Sequence, residues 1–147
     1  MKTCADVMTK NPICCQPMDT VAKAAMLMKR ENVGSLPVIE IQQLSVLTGI
    51  VTDRDLVLRV VSEGMDPNRT TVESVMTRPV VTCRPEDDFQ KAVDAMAKHQ
   101  VRRIPIVDEN SRILGIIAQA DVATRGNEPE KTGVLVKDIS ESHGQKL

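Results

Sequence analysis

Aromatic side chains are almost missing from this chain: Phe89 stands alone among 147 residues, with no Trp and no Tyr. A platform for stacking the bases of single-stranded nucleic acid is thereby excluded. An excess of charge of either sign is equally absent. The net charge is −1, and basic residues gather only in pairs such as Arg102-Arg103, so binding along a phosphate backbone has no electrostatic basis and no nucleic-acid partner is expected. No apolar run approaches the ~18 residues of a membrane-spanning helix. The opening stretch MKTCADVMTKN carries no apolar signal core, which predicts a soluble, cytoplasmic protein with no membrane partner. The cysteines Cys4, Cys14, Cys15 and Cys83 form no C-x-x-C pair and are joined only by His99 and His143, so no metal site is expected and reduced, buried thiols are.

With 41% hydrophobic and 27% charged residues, the chain can build a core, and that core must be Val, Ile, Leu, Ala and Met. The strongest internal signal is a pattern written twice. In one register, TCADVMT (Thr3 to Thr9) falls on TVESVMT (Thr71 to Thr77), and Cys15, Pro17, Asp19 and Lys23 fall on Cys83, Pro85, Asp87 and Lys91. The match continues with Ala24 on Ala92, Met28 on Met96, Val33 on Val101 and Pro37 on Pro105. After a small length change in a loop, Gly49-Ile50 falls on Gly115-Ile116 and Asp55 on Asp121.

Each copy opens with a capped turn, Thr3-x-x-Asp6 or Thr70-x-x-Glu73, followed by an extended stretch bounded by prolines. A helix comes next, with Val21, Ala24, Ala25 and Met28, or Phe89, Ala92, Val93 and Met96, on one stripe; Asp19-Thr20 and Asp87-Asp88 supply the caps. Two apolar strands follow, SLPVIEI with VLTGIVT and RIPIVDE with ILGIIA. A second helix closes each copy, DRDLVLRVVSEG ending at Gly64 and QADVATRG ending at Gly126. The predicted fold class is α/β of the α+β type. Two pseudo-symmetric β-α-β-β-α repeats each carry a small mixed sheet, packed face to face because about 60 residues cannot cover such a sheet alone. The expected boundaries are 3–64 and 71–125 for the repeats and 65–70 for a linker. Residues 126–147 form a tail in which VKDIS echoes the start of a third copy. Met26, Met28 and Met96 are candidates for a dimer seam or for core filling.

The VMT stretch at each opening, the strands around Pro37 and Pro105 and the G-h-h-x-x-x-D exits at Gly49–Asp55 and Gly115–Asp121, in order and twice over, resemble a tandem pair of cystathionine-β-synthase (CBS) domains across about residues 3 to 125. The resemblance implies a regulatory module, not an enzyme, without a catalytic cofactor. It implies an adenosyl ligand (AMP, ADP, ATP, S-adenosylmethionine or NAD) held in clefts between repeats, a homodimer, and an effector protein that reads the ligand state.

The stretch GIVTDRD, Gly49 to Asp55, admits two readings. Thr52-x-x-Asp55 has the spacing of a capping box. In the family's motif, the threonine instead meets a phosphate oxygen and the aspartate accepts from ribose hydroxyls. Arg54 would add charge or face solvent. The second copy has Ala118 in place of Thr52 but keeps Asp121, an aspartate that has lost its capping threonine. The resemblance builds a main cleft from Val51, Thr52, Arg54 and Asp55 with Val81, Arg102 and Arg103, the arginines taking phosphate. It builds a second, degenerate cleft from Asp121 with Ile13, Gly34, Ser35 and Leu36. Ile13, Leu36 and Val51, with backbone near Val81, would wall the adenine. Two rivals accompany this reading: a ligand-free scaffold for protein interaction, and a redox device using Cys14, Cys15 and Cys83.

Overall fold

The computed structural model describes residues 1–124; the VKDIS stretch and Gly126 lie outside the described residues. In chain order the elements are α1 (Cys4–Val7), β1 (Thr9–Lys10), α2 (Val21–Glu31), β2 (Ser35–Glu40) and β3 (Val46–Thr52). They continue with α3 (Asp53–Leu56), α4 (Val72–Val75), α5 (Phe89–His99), β4 (Arg103–Val107), β5 (Ile113–Ala118) and α6 (Gln119–Thr124). A 3₁₀ turn at Ile41–Gln43 follows β2, and α3 runs on through a π turn at Val57–Val61 before Gly64 ends it at φ +65°.

The two long helices form where the apolar stripes predict them. Thr20 Oγ1 accepts from Lys23 N at 3.2 Å to start α2, and Asp88 Oδ1 accepts from Gln90 N at 2.9 Å to start α5. Both end on a left-handed residue, Asn32 and Gln100. All four expected side chains of α5 are buried, whereas on α2 Ala25 is exposed and Leu27 packs against the core instead. The leading turns correct one expectation. Thr3 and Asp6 form a capping box, but α4 is capped at Thr71 without a side-chain bond, and Thr70 donates its hydroxyl to Asp66 O at 2.8 Å.

Strands β2 and β3 pair antiparallel, Ser35 opposite Thr52 and Leu36 opposite Val51; the other sheet has the order β1-β5-β4. The proline-flanked stretches expected as first strands shrink to single parallel bridges, Cys15–Val38 and Cys83–Ile106. Cys15 N donates to Pro37 O and Ile39 N to Cys15 O, with the same pair of bonds at Cys83, Pro105 and Val107. Pro37 and Pro105 themselves bring no N–H to extend the ladder.

The chain divides into two compact units that do not follow the sequence repeats. Among the described residues, unit I comprises Met1–Pro12, Val81–Asn110 and residues 114–124; unit II comprises Ile13–Val80 with Ser111–Ile113. In unit I, α1 lies on the approach to α5, with Cys4 N on Asp87 O at 2.8 Å and Ala5 N on Pro85 O at 2.9 Å. In unit II, α4 makes the corresponding bonds, Val72 N to Asp19 O at 2.8 Å and Glu73 N to Pro17 O at 2.9 Å. The leading helix of each repeat is therefore packed in the unit built by the body of the other.

Each unit has its own core. Unit I buries Val7, Phe89, Met96, Ile104, Ile106 and Ile117 around Cys4 and Cys83; unit II buries Val21, Met28, Leu36, Val38, Val51 and Val72 around Cys15. Met28 and Met96 are thus core residues rather than seam residues, and of the three candidates Met26 alone is exposed. The motif glycines have a packing reason. A Cβ on Gly49 would lie 2.6 Å from Met76 Sδ, and one on Gly115 would lie 2.6 Å from Met8 Sδ and 2.8 Å from Thr9 O. The methionine of each VMT stretch rests on the backbone of a G-h-h-x-x-x-D exit, which explains why the two motifs travel together.

Candidate functional site

The described contacts sort the expected site residues into two sets, one in each unit. In unit II, β3 ends at Thr52, which turns the chain into α3. Thr52 Oγ1 accepts from Asp55 N at 3.1 Å while Asp55 Oδ2 accepts from Thr52 N at 3.0 Å, a complete capping box. Gly34 and Ser35 sit beside this turn: Asp53 N donates to Gly34 O at 2.9 Å, and Ser35 is the ladder partner of Thr52. A Cβ at position 34 would lie 3.0 Å from Asp53 Oδ2, so the small residue leaves room for that carboxylate. Asp53 and Arg54 are exposed.

Asp55 does more than start its helix. It is only 7% exposed, and Thr77 Oγ1 donates to its two oxygens at 3.0 and 3.2 Å. Arg59 Nε lies 3.9 Å from Oδ1, and the same guanidinium donates through Nη1 to Val75 O at 2.9 Å and Met76 O at 3.3 Å. Asp55 and Arg59 together tie α4 and the isolated bridge residue Thr77 after it to the α3 turn. Neither Thr77 nor Arg59 was expected at the site. The signal for Thr77 was present in the sequence, since a threonine closes the VMT stretch in both copies.

In unit I, β5 ends at Ala118 and α6 begins at Gln119. Gln119 N donates to Arg102 O at 2.9 Å, the counterpart of the Asp53–Gly34 bond. Arg102 is exposed and Arg103 is half-buried. Burial pulls the Arg103 guanidinium below its ordinary pKa, and the Asp121 carboxylate offsets part of that shift. Asp121 has not lost its capping function with the threonine: its Oδ2 accepts from Ala118 N at 2.8 Å. A capping box has two halves, and the half that runs from carboxylate to backbone needs no particular side chain at the cap position. Survival of Asp121 opposite Ala118 therefore carries no separate argument for a ligand.

Leu36 and Val51 are fully buried in the unit II core, so their side chains offer no face to an adenine in this structure. Ile13 is 42% exposed, and Val81 is half-buried against the unit I core.

The electrostatic character of the two turns differs sharply. Unit II presents a hydroxyl, carboxylates and one arginine beside an uncharged strand start. Unit I presents two arginines beside a turn whose cap is a methyl group. Among the described residues there is no group of three or more His, Cys, Asp or Glu arranged to hold a metal, and no helix long and apolar enough to cross a membrane.

The chain matches the CBS domain family over residues 4–62 and 72–127. It is 39% identical over 140 residues to the CBS domain-containing protein YhcV of Bacillus subtilis, covering 95% of this chain and 96% of that one. Among solved structures it resembles Hypoxic Response Protein I with two coordinated zinc ions, at 31% identity, TM-score 0.76, and coverage of 84% and 98%. It also resembles the CBS domain pair of protein MJ0100 in complex with 5-methylthioadenosine and S-adenosyl-L-methionine, at 25% identity, TM-score 0.72, and coverage of 84% and 94%.

Proposed function

Because the chain belongs to the CBS domain family, as a pair of repeats with small antiparallel sheets, we propose that it is a regulatory sensor of an adenosyl compound and not a catalyst. The observation that carries this reading is the pair Arg102-Arg103 at the start of β4, beside the β5-to-α6 turn. Guanidinium groups form strong, charge-assisted bonds to phosphate, and the exposure of Arg102 supports this role. The MJ0100 pair, bound to two adenosyl molecules, supports the ligand class.

Under this proposal Thr52, Arg54 and Asp55 contribute the remaining polar chemistry. Thr52 uses its oxygen as a cap acceptor and keeps its proton for donation to phosphate. A carboxylate has about four lone-pair sites, so Asp55 retains acceptor capacity for sugar hydroxyls beyond the bonds it makes to the protein. Ligand then favours one conformation of the chain, which an effector reads as a population shift. Self-association belongs to the same reading. Val57, Leu58 and Val61 on the helical run after β3, with Met65 just past its end, leave large apolar side chains exposed, a surface suited to a second copy.

Calorimetry with AMP, ATP, S-adenosylmethionine and adenosine tests the assignment. Arg102→Ala should weaken AMP and ATP by roughly tenfold or more and leave adenosine unchanged. Equal affinity for AMP before and after the substitution removes the arginine from the site. Asp55→Ala is the poorer probe, because it dismantles the α3 turn whether or not ligand binds. No affinity for any of these compounds at millimolar concentration, together with a stable oligomer, establishes the scaffold reading instead.

A further inference from the structure

Cys4 and Cys83 lie far apart in sequence but share the core of unit I, at 0% and 3% exposure. The backbone holds them there. Cys4 N and Ala5 N donate to Asp87 O and Pro85 O, just past Cys83, while Cys83 is fixed to β4 by its bonds with Pro105 and Val107. The two thiols lie close enough to perturb one another, and Cys4 Sγ also donates to Asp88 O at 3.9 Å. Unit II supplies an internal control. The position matching Cys4 is Val72, with the same backbone bonds to Asp19 and Pro17, so the matching thiol, Cys15, packs against a hydrocarbon.

We propose that Cys4 and Cys83 form an oxidation site, in which a hydroperoxide drives an intramolecular disulfide that staples residues 1–12 to the rest of unit I. The Cys83 thiolate attacks one peroxide oxygen and the O–O bond breaks. The alcohol (water, for hydrogen peroxide) leaves with the proton that Cys83 had carried, and Cys83 becomes a sulfenic acid. Cys4 Sγ then attacks the sulfenic sulfur and the S–O bond breaks, with the hydroxide leaving as water on the Cys4 proton. Two thiols lose two electrons and two protons, and one peroxide gains them. Contact with Cys4 holds the Cys83 thiol below its ordinary pKa, while the same contact and burial push Cys4 up, a direction that favours Cys83 as the attacking sulfur. Cys83 is 3% exposed, so the reaction requires a local opening beside the exposed Thr82. Cys14 and Cys15 are poor competitors; burial pushes their thiols up to about 11 and about 12. This assignment is independent of ligand binding.

The test uses the full chain, reduced and then exposed to equimolar hydrogen peroxide in its folded state. Thiols titrated after denaturation should fall from the four in the sequence to two, and a non-reducing peptide map should show Cys4 joined to Cys83 within one chain. Dithiothreitol should restore the count, and the oxidised form should melt several degrees above the reduced one. Cys4→Val, which copies the Val72 packing of unit II, should abolish the cross-link, while Cys14→Ala with Cys15→Ala should keep it. The wild-type map decides the matter even where a variant folds poorly. Four surviving thiols, a bridge through Cys14 or Cys15, a bridge between chains, or sulfinic acid without a cross-link would each overturn the proposal.

Discussion

At the strand-to-helix turn, unit II sets Thr52 and Asp53 beside Gly34 and Ser35, where unit I sets Ala118 and Gln119 beside Arg102 and Arg103. The backbone bond that closes the turn is the same in both, Asp53 N to Gly34 O and Gln119 N to Arg102 O, each at 2.9 Å. The leading helices show the same division: identical bonds anchor α1 and α4, yet one presents Cys4 to a thiol and the other Val72. A duplicated plan carried by main-chain hydrogen bonds leaves side chains free to diverge, because those bonds ask only that an N–H and a C=O be present. One turn has become cationic and the other polar without a change of fold.

Several substitutions break or sharpen that contrast. The largest effect should come from the matched core positions. Leu36→Ala and Ile104→Ala, both fully buried, should each cost about 2–5 kcal/mol in urea unfolding, and similar losses would show that the two cores are equally packed. Next is the Asp55 junction. Asp55→Ala removes the acceptor of Thr77 and Thr52 in a buried place and should cost about 1.5–3 kcal/mol. A double-mutant cycle with Thr77→Val should return a coupling of about 1 kcal/mol, and a coupling near zero would mean that the junction is not a unit.

A smaller exchange follows at the caps. Thr52→Ala gives unit II the half-box of unit I and should cost about 1 kcal/mol, whereas Ala118→Thr should recover a comparable amount in thermal melts. The smallest effect concerns pH. The Thr3 backbone N–H, then its hydroxyl, hold the Asp6 carboxyl below its usual 3.8, so its contribution to α1 is present above that value and is lost as pH falls through the lowered one. An NMR titration should find the Asp6 midpoint below that of an unfolded peptide, and an unshifted midpoint would mean that the capping box does not persist in solution.

The repeat, the two long helices with their caps and the two strand pairs were legible in the sequence because each rests on local spacing. The placement of α1 and α4 was not. A motif present in two nearly equal copies can dock on either body through the same contacts, and periodicity holds no information about which it chooses. For the same reason Thr77 was read as part of an opening motif rather than as the partner of Asp55, a contact that crosses from one repeat to the other. Leu36 and Val51, candidates for ligand walls or for ordinary core, are fully buried here, a distinction the sequence does not carry because an apolar residue at a strand end has the same letter whether it faces a cleft or a core. Nor does the sequence show that the two halves of a capping box are separable, and Asp121 still accepts from the backbone of Ala118.

The crossed placement of the leading helices also sets an order of events on the ribosome. Nearly all of unit II is contained in residues 13–80 and is available for folding early in synthesis. Met1–Pro12 is translated before its docking surface between Val81 and Asn110. The nascent chain must therefore carry residues 1–12, apolar Val7 and Cys4 included, as an undocked thread until residues 81–110 arrive to receive them.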